Sequence, residues 1–276
     1  MVDQKMKISC IIPTCDRPKF LEEAIRSVLV QTLPPYEIII VNNGQGEIIL
    51  PDNFKDKVIV HNFTAYAGAS RARNFGANSA SGDFLAFLDD DDLWNKNYLE
   101  NVAESIGRGA RCAISRLDRL ENNKISSYKN AQGKININNL LLFNPGVTGS
   151  NIVVAKDVFL QAGGFDQNLV TSEDKSLILE ILKNNIKIET LPENQVILRI
   201  HPGPRLSSPD KLYKGISEFT KKYFRLMNKR QLCENYLKIY RYKYESGDKK
   251  AFLLFTLFYF FVRVLNIFKP KSKVNL

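Results

Sequence analysis

Three apolar runs near the start of the chain each stop at a polar break: KISCIIPT before CDRP, EIIIV before NNG, and DFLAFL before four aspartates. Unbroken apolar runs of this length, rich in β-branched residues, suit strands buried on both faces. Helical patterns separate them. One helix is predicted from Pro18, with Leu21, Ala24, Ile25, Val28 and Leu29 on one face. Another is predicted over GASRARNFGANSAS, where Ala69, Ala72, Phe75 and Ala80 have helical spacing, and VIVH reads as a further short strand. Strand–helix alternation predicts a parallel sheet covered on both faces, with ligands bound at the carboxyl ends of the strands. The breaks TCDRP, VNNG and LDDDD all fall at those ends.

Four consecutive aspartates, Asp89 to Asp92, are either a solvated acidic turn or a cation site. The convergence of strand ends favours the cation site. Carboxylate oxygens suit Mg2+ or Mn2+. In an extended segment Asp89 and Asp91 project to the same side, the D-x-D spacing that can hold one metal on a diphosphate. Asp90 or Asp92 then faces a sugar or caps the next helix, and Asp92 before LWNKN is well placed to cap. So few protein ligands suit a metal shared with substrate phosphates, which points to phosphate-linked substrates. No GxGxxG follows the first strand and no GxxxxGK[ST] is present.

After Trp94 the expected order is a helix over residues 95–107, a strand at ARCAISRL, and irregular structure over residues 118–145. A strand at SNIVVA follows, then a short helix at KDVFLQ stopped by glycines. Thr171 or Ser172 can cap the next helix, and QVILRI is a last strand. The four cysteines show no metal-ligand spacing, and the N-terminal stretch lacks the apolar segment of a signal peptide. A reducing cytoplasmic setting is the expectation.

In order and spacing, ISCIIPTCDRPKFLEEAIRSVLVQ, EIIIVNNG, ASRARNFGANSASGDFLAFLDDDDLW, TGSNIVVAKDVFLQAGGFDQNLVTSEDKSLILEIL and LRIHPGPRLS together resemble a family 2 glycosyltransferase of bacterial cell-surface polysaccharide type. The resemblance implies a GT-A fold, a Rossmann-like mixed sheet flanked by helices, over residues 1–208, with a helical extension over 209–276. It implies transfer of a sugar from a nucleoside-diphosphate donor, with inversion, to a glycan or lipid-linked saccharide acceptor. By the same resemblance, Pro13, Thr14, Asp16 and Arg17 belong to the first-strand nucleoside contacts. Asn43 stands near the family's base-binding acidic position, with Asn42 the other candidate. Arg73 resembles the arginine that helps hold the nucleotide, or makes a salt bridge on an exposed helix face. Asp89, Asp90 and Asp91 resemble the D-x-D region contacting ribose, donor sugar and a Mn2+ or Mg2+ ion, with His201 a further metal or phosphate contact. Asp174 resembles the catalytic base, with adjacent Glu173 as the substitute. A place in the first turn of a helix would help keep Asp174 ionised. Gly149, Ser150 and Trp94 are acceptor-side or sugar-side candidates, and a core or hinge role is the other reading of Trp94. The family commonly carries an aspartate where this chain has VNNG. Asparagine can accept a base N–H without the charge, so a UDP-sugar donor is favoured, with TDP next.

The net charge of +10 is uneven: residues 205–276 hold 17 Lys+Arg against 5 Asp+Glu. Residues 251–269 are almost wholly apolar but carry Arg263. A helix lying in the membrane interface, with the basic cluster drawn to anionic lipid, is the favoured reading. A helical hairpin packed on the catalytic domain or on another copy is its rival. The expectation is a peripheral enzyme at the cytoplasmic face of the plasma membrane, with oligomerisation open and no nucleic-acid partner, since no recognition motif accompanies the charge. The functional rivals are a nucleotidyltransferase making a nucleotide sugar, for which TCDRPKF lacks a glycine-rich basic loop, and a non-catalytic carbohydrate- or membrane-binding scaffold.

Overall fold

In the computed structural model, the described residues are 6–128, 134–201 and 208–267. Arg205 and the PGPRLS segment fall outside them. Strand β1 (Ile8–Thr14) is buried along its whole length, as its apolar run requires. It pairs in parallel with β2 (Glu37–Asn42) on one side and with β4 (Phe84–Phe87) on the other, and β2 pairs in parallel with β3 (Ile59–Asn62). Helix α1 (Pro18–Leu29) starts on a proline and buries Leu21, Ala24, Ile25 and Val28. Helix α3 (Ala69–Ser79) packs against β1 and β2. A single turn, α2 (Asp52–Lys55), precedes β3.

The parallel expectation holds for this half, and the sheet as a whole is mixed, as the resemblance implied. The sheet runs β3-β2-β1-β4-β8-β6-β9-β5, with β7 paired to β6. Strand β8 (Ile152–Ala155) lies antiparallel between β4 and β6 (Cys112–Glu121). The stretch expected to be irregular contains a hairpin, β6 with β7 (Lys124–Ser127), and a helix, α5 (Ile137–Leu142). The QVILRI strand is the end of a longer one, β9 (Ile188–Arg199), parallel to β6. A two-residue strand, β5 (Leu93–Trp94), pairs with β9, so α4 (Tyr98–Gly107) begins later than expected. The N-cap of α4 is Asn97, and Asp92 does not serve that role. Helices α6 (Lys156–Gln161) and α7 (Glu173–Lys183) complete this part. Thr171 and Ser172 do not cap α7 as expected: the buried Thr171 hydroxyl has no hydrogen-bond partner, and Ser172 sits at φ 71°, outside the extended capping conformation.

The chain divides into two units. The first comprises residues 1–140, 144–167 and 173–202 and carries the sheet; the second comprises 141–143, 168–172 and 203–276. The second unit is built on α8 (Pro209–Tyr223), α9 (Lys229–Glu245) and α10 (Ala251–Ile267). Asn228 and Gln231 close the start of α9 with a capping box. Helix α10 turns Ala251, Phe255, Phe258 and Val262 inward at helical spacing, and Phe258 stacks between Tyr236 and Tyr240 of α9. Most of its other apolar residues are exposed, Leu253 at 76% and Phe260 at 63%. Among the described residues, no helix is long and apolar enough to cross a membrane.

Candidate functional site

The carboxyl ends of β1, β2 and β4 meet in the first unit. Leu88 N–H reaches the Ile11 carbonyl, and Asn43 N–H reaches the Thr14 carbonyl (2.8 Å). Backbone groups alternate sides along a strand, so position 13 faces the edge that β4 has already left. A proline is tolerated there because no ladder partner remains for its missing N–H.

The acidic run is a turn rather than an extended segment: Asp92 N–H bonds the Asp89 carbonyl (3.1 Å). Its side chains nevertheless sort by alternation. Asp89 and Asp91 keep 27% and 21% side-chain exposure, while Asp90 and Asp92 are buried. Asp90 accepts from the Thr14 hydroxyl (2.7 Å) and from Arg17 (3.1 Å), tying β1 to the turn. Burial, with the Asp91 and Asp89 charges adding to it, pushes its pKa up to about 6; the Thr14 and Arg17 contacts pull the other way. Asp92 is likewise pushed well above the ordinary carboxylate range, first by burial and then by the Asp91 and Asp89 charges. It accepts from the Ser150 hydroxyl (2.5 Å) and the Arg199 N–H (2.9 Å).

Asp91 lies 2.8 Å from Arg17 Nη1 and 3.0 Å from His201 Nε2. The His201 ring rests on Phe20, with centroids 4.9 Å apart, and Arg199 Nε donates to the Asp91 carbonyl (3.1 Å). Arg73 donates to Asp89 through Nε (3.1 Å) and Nη2 (2.5 Å), and to Glu173 through Nη1 (3.1 Å). It is buried, which corrects the exposed-face alternative. Burial opposes its charge, but the two carboxylates outweigh that and raise its pKa. Gly149 packs on this guanidinium, and a Cβ there would stand 2.7 Å from Arg73 Cζ.

Glu173 and Asp174 open α7. Asp174 accepts its neighbour Lys175's N–H (2.6 Å). Burial, reinforced by the Glu173 charge, pushes its pKa up to about 7, although the Lys175 N–H, Arg73 and Lys175 oppose the shift. This reverses the expectation that the helix start keeps it readily ionised, because desolvation is the larger effect.

Three expected contacts are placed elsewhere. Trp94 is buried, packs tilted against Tyr98 (centroids 4.7 Å apart) and donates to the Ser150 carbonyl (2.8 Å), so it belongs to the core rather than to a sugar platform. Ser150 is fully buried behind the acidic turn, where its hydroxyl also accepts the Asp89 N–H (3.1 Å). Asn42 uses both ends of its amide on Gly46, Asn62 and Gly44, which leaves Asn43 as the better base candidate. The Asn43 carbonyl oxygen takes the Ala67 N–H (2.9 Å). Asp16, at φ 54°, accepts from Gln45, Gly46 and the Tyr66 hydroxyl, holding the loop after β2 against the loop after β1.

Sequence reasoning missed Arg199 and Tyr66 as parts of this site. Arg199 had a usable signal, because it precedes His201 by two residues and strand alternation turns both the same way. Asn74 bonds the Phe165 backbone at both ends of its amide, and His61 packs edge-on to Phe75 (5.6 Å).

The sheet order, with the acidic turn at the strand ends, defines a GT-A architecture with a helical C-terminal extension. The chain belongs to the family described as glycosyl transferase family 2, whose model matches residues 9–159. It is 40% identical over 104 residues to the uncharacterized glycosyltransferase YwdF of Bacillus subtilis, covering 37% of this chain and 38% of that one. It therefore spans less than two thirds of YwdF's length. It is 29% identical over 184 residues to the Escherichia coli UDP-Glc:alpha-D-GlcNAc-diphosphoundecaprenol beta-1,3-glucosyltransferase WfgD, covering 64% of this chain and 70% of that one. The crystal structure of S. aureus TarS 1-349 in complex with UDP-GlcNAc matches with a TM-score of 0.64 at 19% identity, over 86% of this chain and 71% of that chain.

The residues around Asp91 bear on whether a divalent ion fits. Among the described residues, no group of three or more His, Cys, Asp or Glu side chains could hold a metal ion alone. A carboxylate and an imidazole at Asp91 and His201, with Asp89 partly exposed on the same turn, suit an ion that takes its remaining ligands from a bound diphosphate and water.

Proposed function

We propose that this chain is an inverting glycosyltransferase that moves a sugar from a nucleoside-diphosphate donor, UDP before TDP, to a hydroxyl of a cell-surface glycan or lipid-linked oligosaccharide. One observation carries this reading. The chain Asp89–Arg73–Glu173, buried at Arg73 and Glu173, ties the acidic turn to the start of α7, where Asp174 has a pKa of about 7. A carboxylate with that pKa is suited to accept a proton at neutral pH.

The acceptor oxygen attacks the anomeric carbon as Asp174 takes its proton. The bond from that carbon to the diphosphate oxygen breaks, and the diphosphate leaves with the electron pair. Glu173 helps keep Asp174 basic and anchors Arg73, while Arg73 positions Asp89 toward the donor. Arg17, beside Asp91, offers positive charge to the diphosphate. Asp91, Asp89 and His201 would hold Mn2+ or Mg2+, which when bound neutralises charge on the leaving diphosphate. The first-strand residues Pro13, Thr14 and Asp16, with Asn43, line the nucleoside side in this reading. The relatives support it through what they act on or bind: WfgD carries UDP-Glc and a diphosphoundecaprenol-linked sugar in its name, and TarS was crystallised with UDP-GlcNAc. The exposed apolar face of α10 supports peripheral contact with the cytoplasmic leaflet.

Titration calorimetry with nucleoside diphosphates, with and without Mn2+, followed by transfer assays, tests the assignment. UDP or TDP binding weakened by Asp91→Ala, together with turnover abolished in Asp174→Asn, is the expected pair. Selectivity for GDP or CDP would overturn the base preference. Folded protein that binds no nucleotide would sink the enzyme reading in favour of a scaffold.

A further inference from the structure

The second unit contains a cavity of about 870 Å³ that the reaction does not use. It lies between one face of α8 and one face of α9, because Tyr213, Ser217 and Thr220 recur at helical spacing on the first helix and Tyr236, Ile239 and Lys243 on the second. Thr220 and Ile239 are buried beneath it. Lys221, Lys222 and Arg225 join Lys243 in the lining, and no acidic residue is among the lining residues. Lys243 is also engaged with Asp248 (3.2 Å). Lysines in the last turn of α8 complement the helix dipole, but that role does not account for Arg225 and Lys243 converging on the same space. Tyr240 lines the cavity and is stacked on Phe258 of α10 (5.6 Å), so the cavity adjoins the helix whose outer apolar face is exposed.

We propose that this cavity is a binding site for the anionic phosphate headgroup of a bilayer lipid, seated among these cations while α10 lies in the membrane interface. Charge complementarity selects the headgroup. The neighbouring exposed Leu253, Phe260 and Phe261 select a lipid rather than a soluble phosphate, because only a lipid brings an apolar phase to that face. The site deepens the membrane reading above and rests on it; the transfer chemistry of the first unit does not depend on it.

Cosedimentation of the full chain with phosphatidylcholine vesicles, with and without phosphatidylglycerol, tests the site. Preference for the anionic vesicles is expected. Replacing Lys221 and Arg225 with Gln should lower that binding by about fivefold per charge removed. Ser217→Phe, which fills the cavity without changing charge, should lower it comparably while far-UV circular dichroism and Tm stay unchanged. The paired changes Lys249→Gln and Lys250→Gln, outside the cavity, should have a smaller effect than the Lys221 and Arg225 pair. Wild-type binding by Ser217→Phe, or equal losses in the two double variants, overturns the cavity in favour of diffuse attraction; if Ser217→Phe perturbs the fold, the two double variants decide. Equal binding to both vesicle types overturns the headgroup site and leaves the membrane helix standing, whereas binding to neither overturns both. Pyrophosphate binding in solution without anionic-vesicle preference overturns the lipid source.

Discussion

Asp174 shows how one residue's environment outweighs its position. A place in the first turn of α7 favours the charged form, yet burial and the Glu173 charge raise its pKa to about 7. In the proposed role of base Asp174 must be deprotonated, so turnover should rise with pH through about 7. Asp174→Asn should lower kcat by about 10²–10⁴-fold and remove that limb. Glu173→Gln should shift the limb to lower pH, and a limb left in place would reassign the titrating group. The same shift has a stability consequence. A carboxyl group whose folded pKa lies above its ordinary 3.8 loses the fold stability as pH rises from that range through about 7. Asp174→Asn should therefore raise Tm at pH 8 and leave it unchanged at pH 4, as thermal melts at both would show. Arg73 makes the complementary case. Arg73→Met leaves two carboxylates without their shared partner and should destabilise the chain by about 3–5 kcal/mol in urea titrations. Gly149→Ala should lose donor affinity together with stability, because its Cβ displaces the same guanidinium. The acidic run after β4 and the place of Asp174 in the first turn of α7 were legible from local sequence. The Arg73 bridge was not, because Glu173 lies 100 positions away and only the folded sheet brings it near.

At the scale of elements, helix α3 is fixed by how closely it approaches the sheet. A Cβ at Gly76 would sit 2.6 Å from Ile11 Cγ2 and 3.0 Å from Val41 Cγ2, on β1 and β2 respectively. Helix propensity favours alanine over glycine by about 1 kcal/mol. Overpacking against two strands costs about 1–3 kcal/mol and should prevail. Gly76→Ala should thus lower the urea midpoint with an unchanged m-value, and a raised midpoint would show that the strands yield. Elements of this kind were readable in advance because their evidence is local: β1 and β2 carry unbroken apolar runs, and α1 and α3 carry helical apolar spacing. Strand β5, only two residues long, has no such period and exists through its pairing with β9. The β6–β7 hairpin was obscured for a related reason. Its second strand, KISS, is polar and exposed, so its pairing gives no alternating apolar signal.

At the scale of the whole molecule, composition marks a change near residue 205, but the second unit does not begin there alone. It also takes residues 141–143 and 168–172 from the preceding chain. Asn235 donates to the Leu141 carbonyl (2.8 Å), Lys238 donates to the Leu142 carbonyl, and Glu218 accepts the Val170 N–H (3.1 Å). Leu141 itself is buried. A chain ended at residue 208 would keep these borrowed segments while losing the helices that satisfy them. It should be less soluble and melt lower than the full chain, despite the shift in charge that makes residue 208 look like a domain boundary. Asn235→Ala should reproduce part of the effect, about 1–3 kcal/mol, by leaving the buried Leu141 carbonyl without its donor. Equal solubility and Tm for the shortened chain would mean that residues 141–143 and 168–172 find other partners and that the sheet-bearing unit folds without α8, α9 and α10.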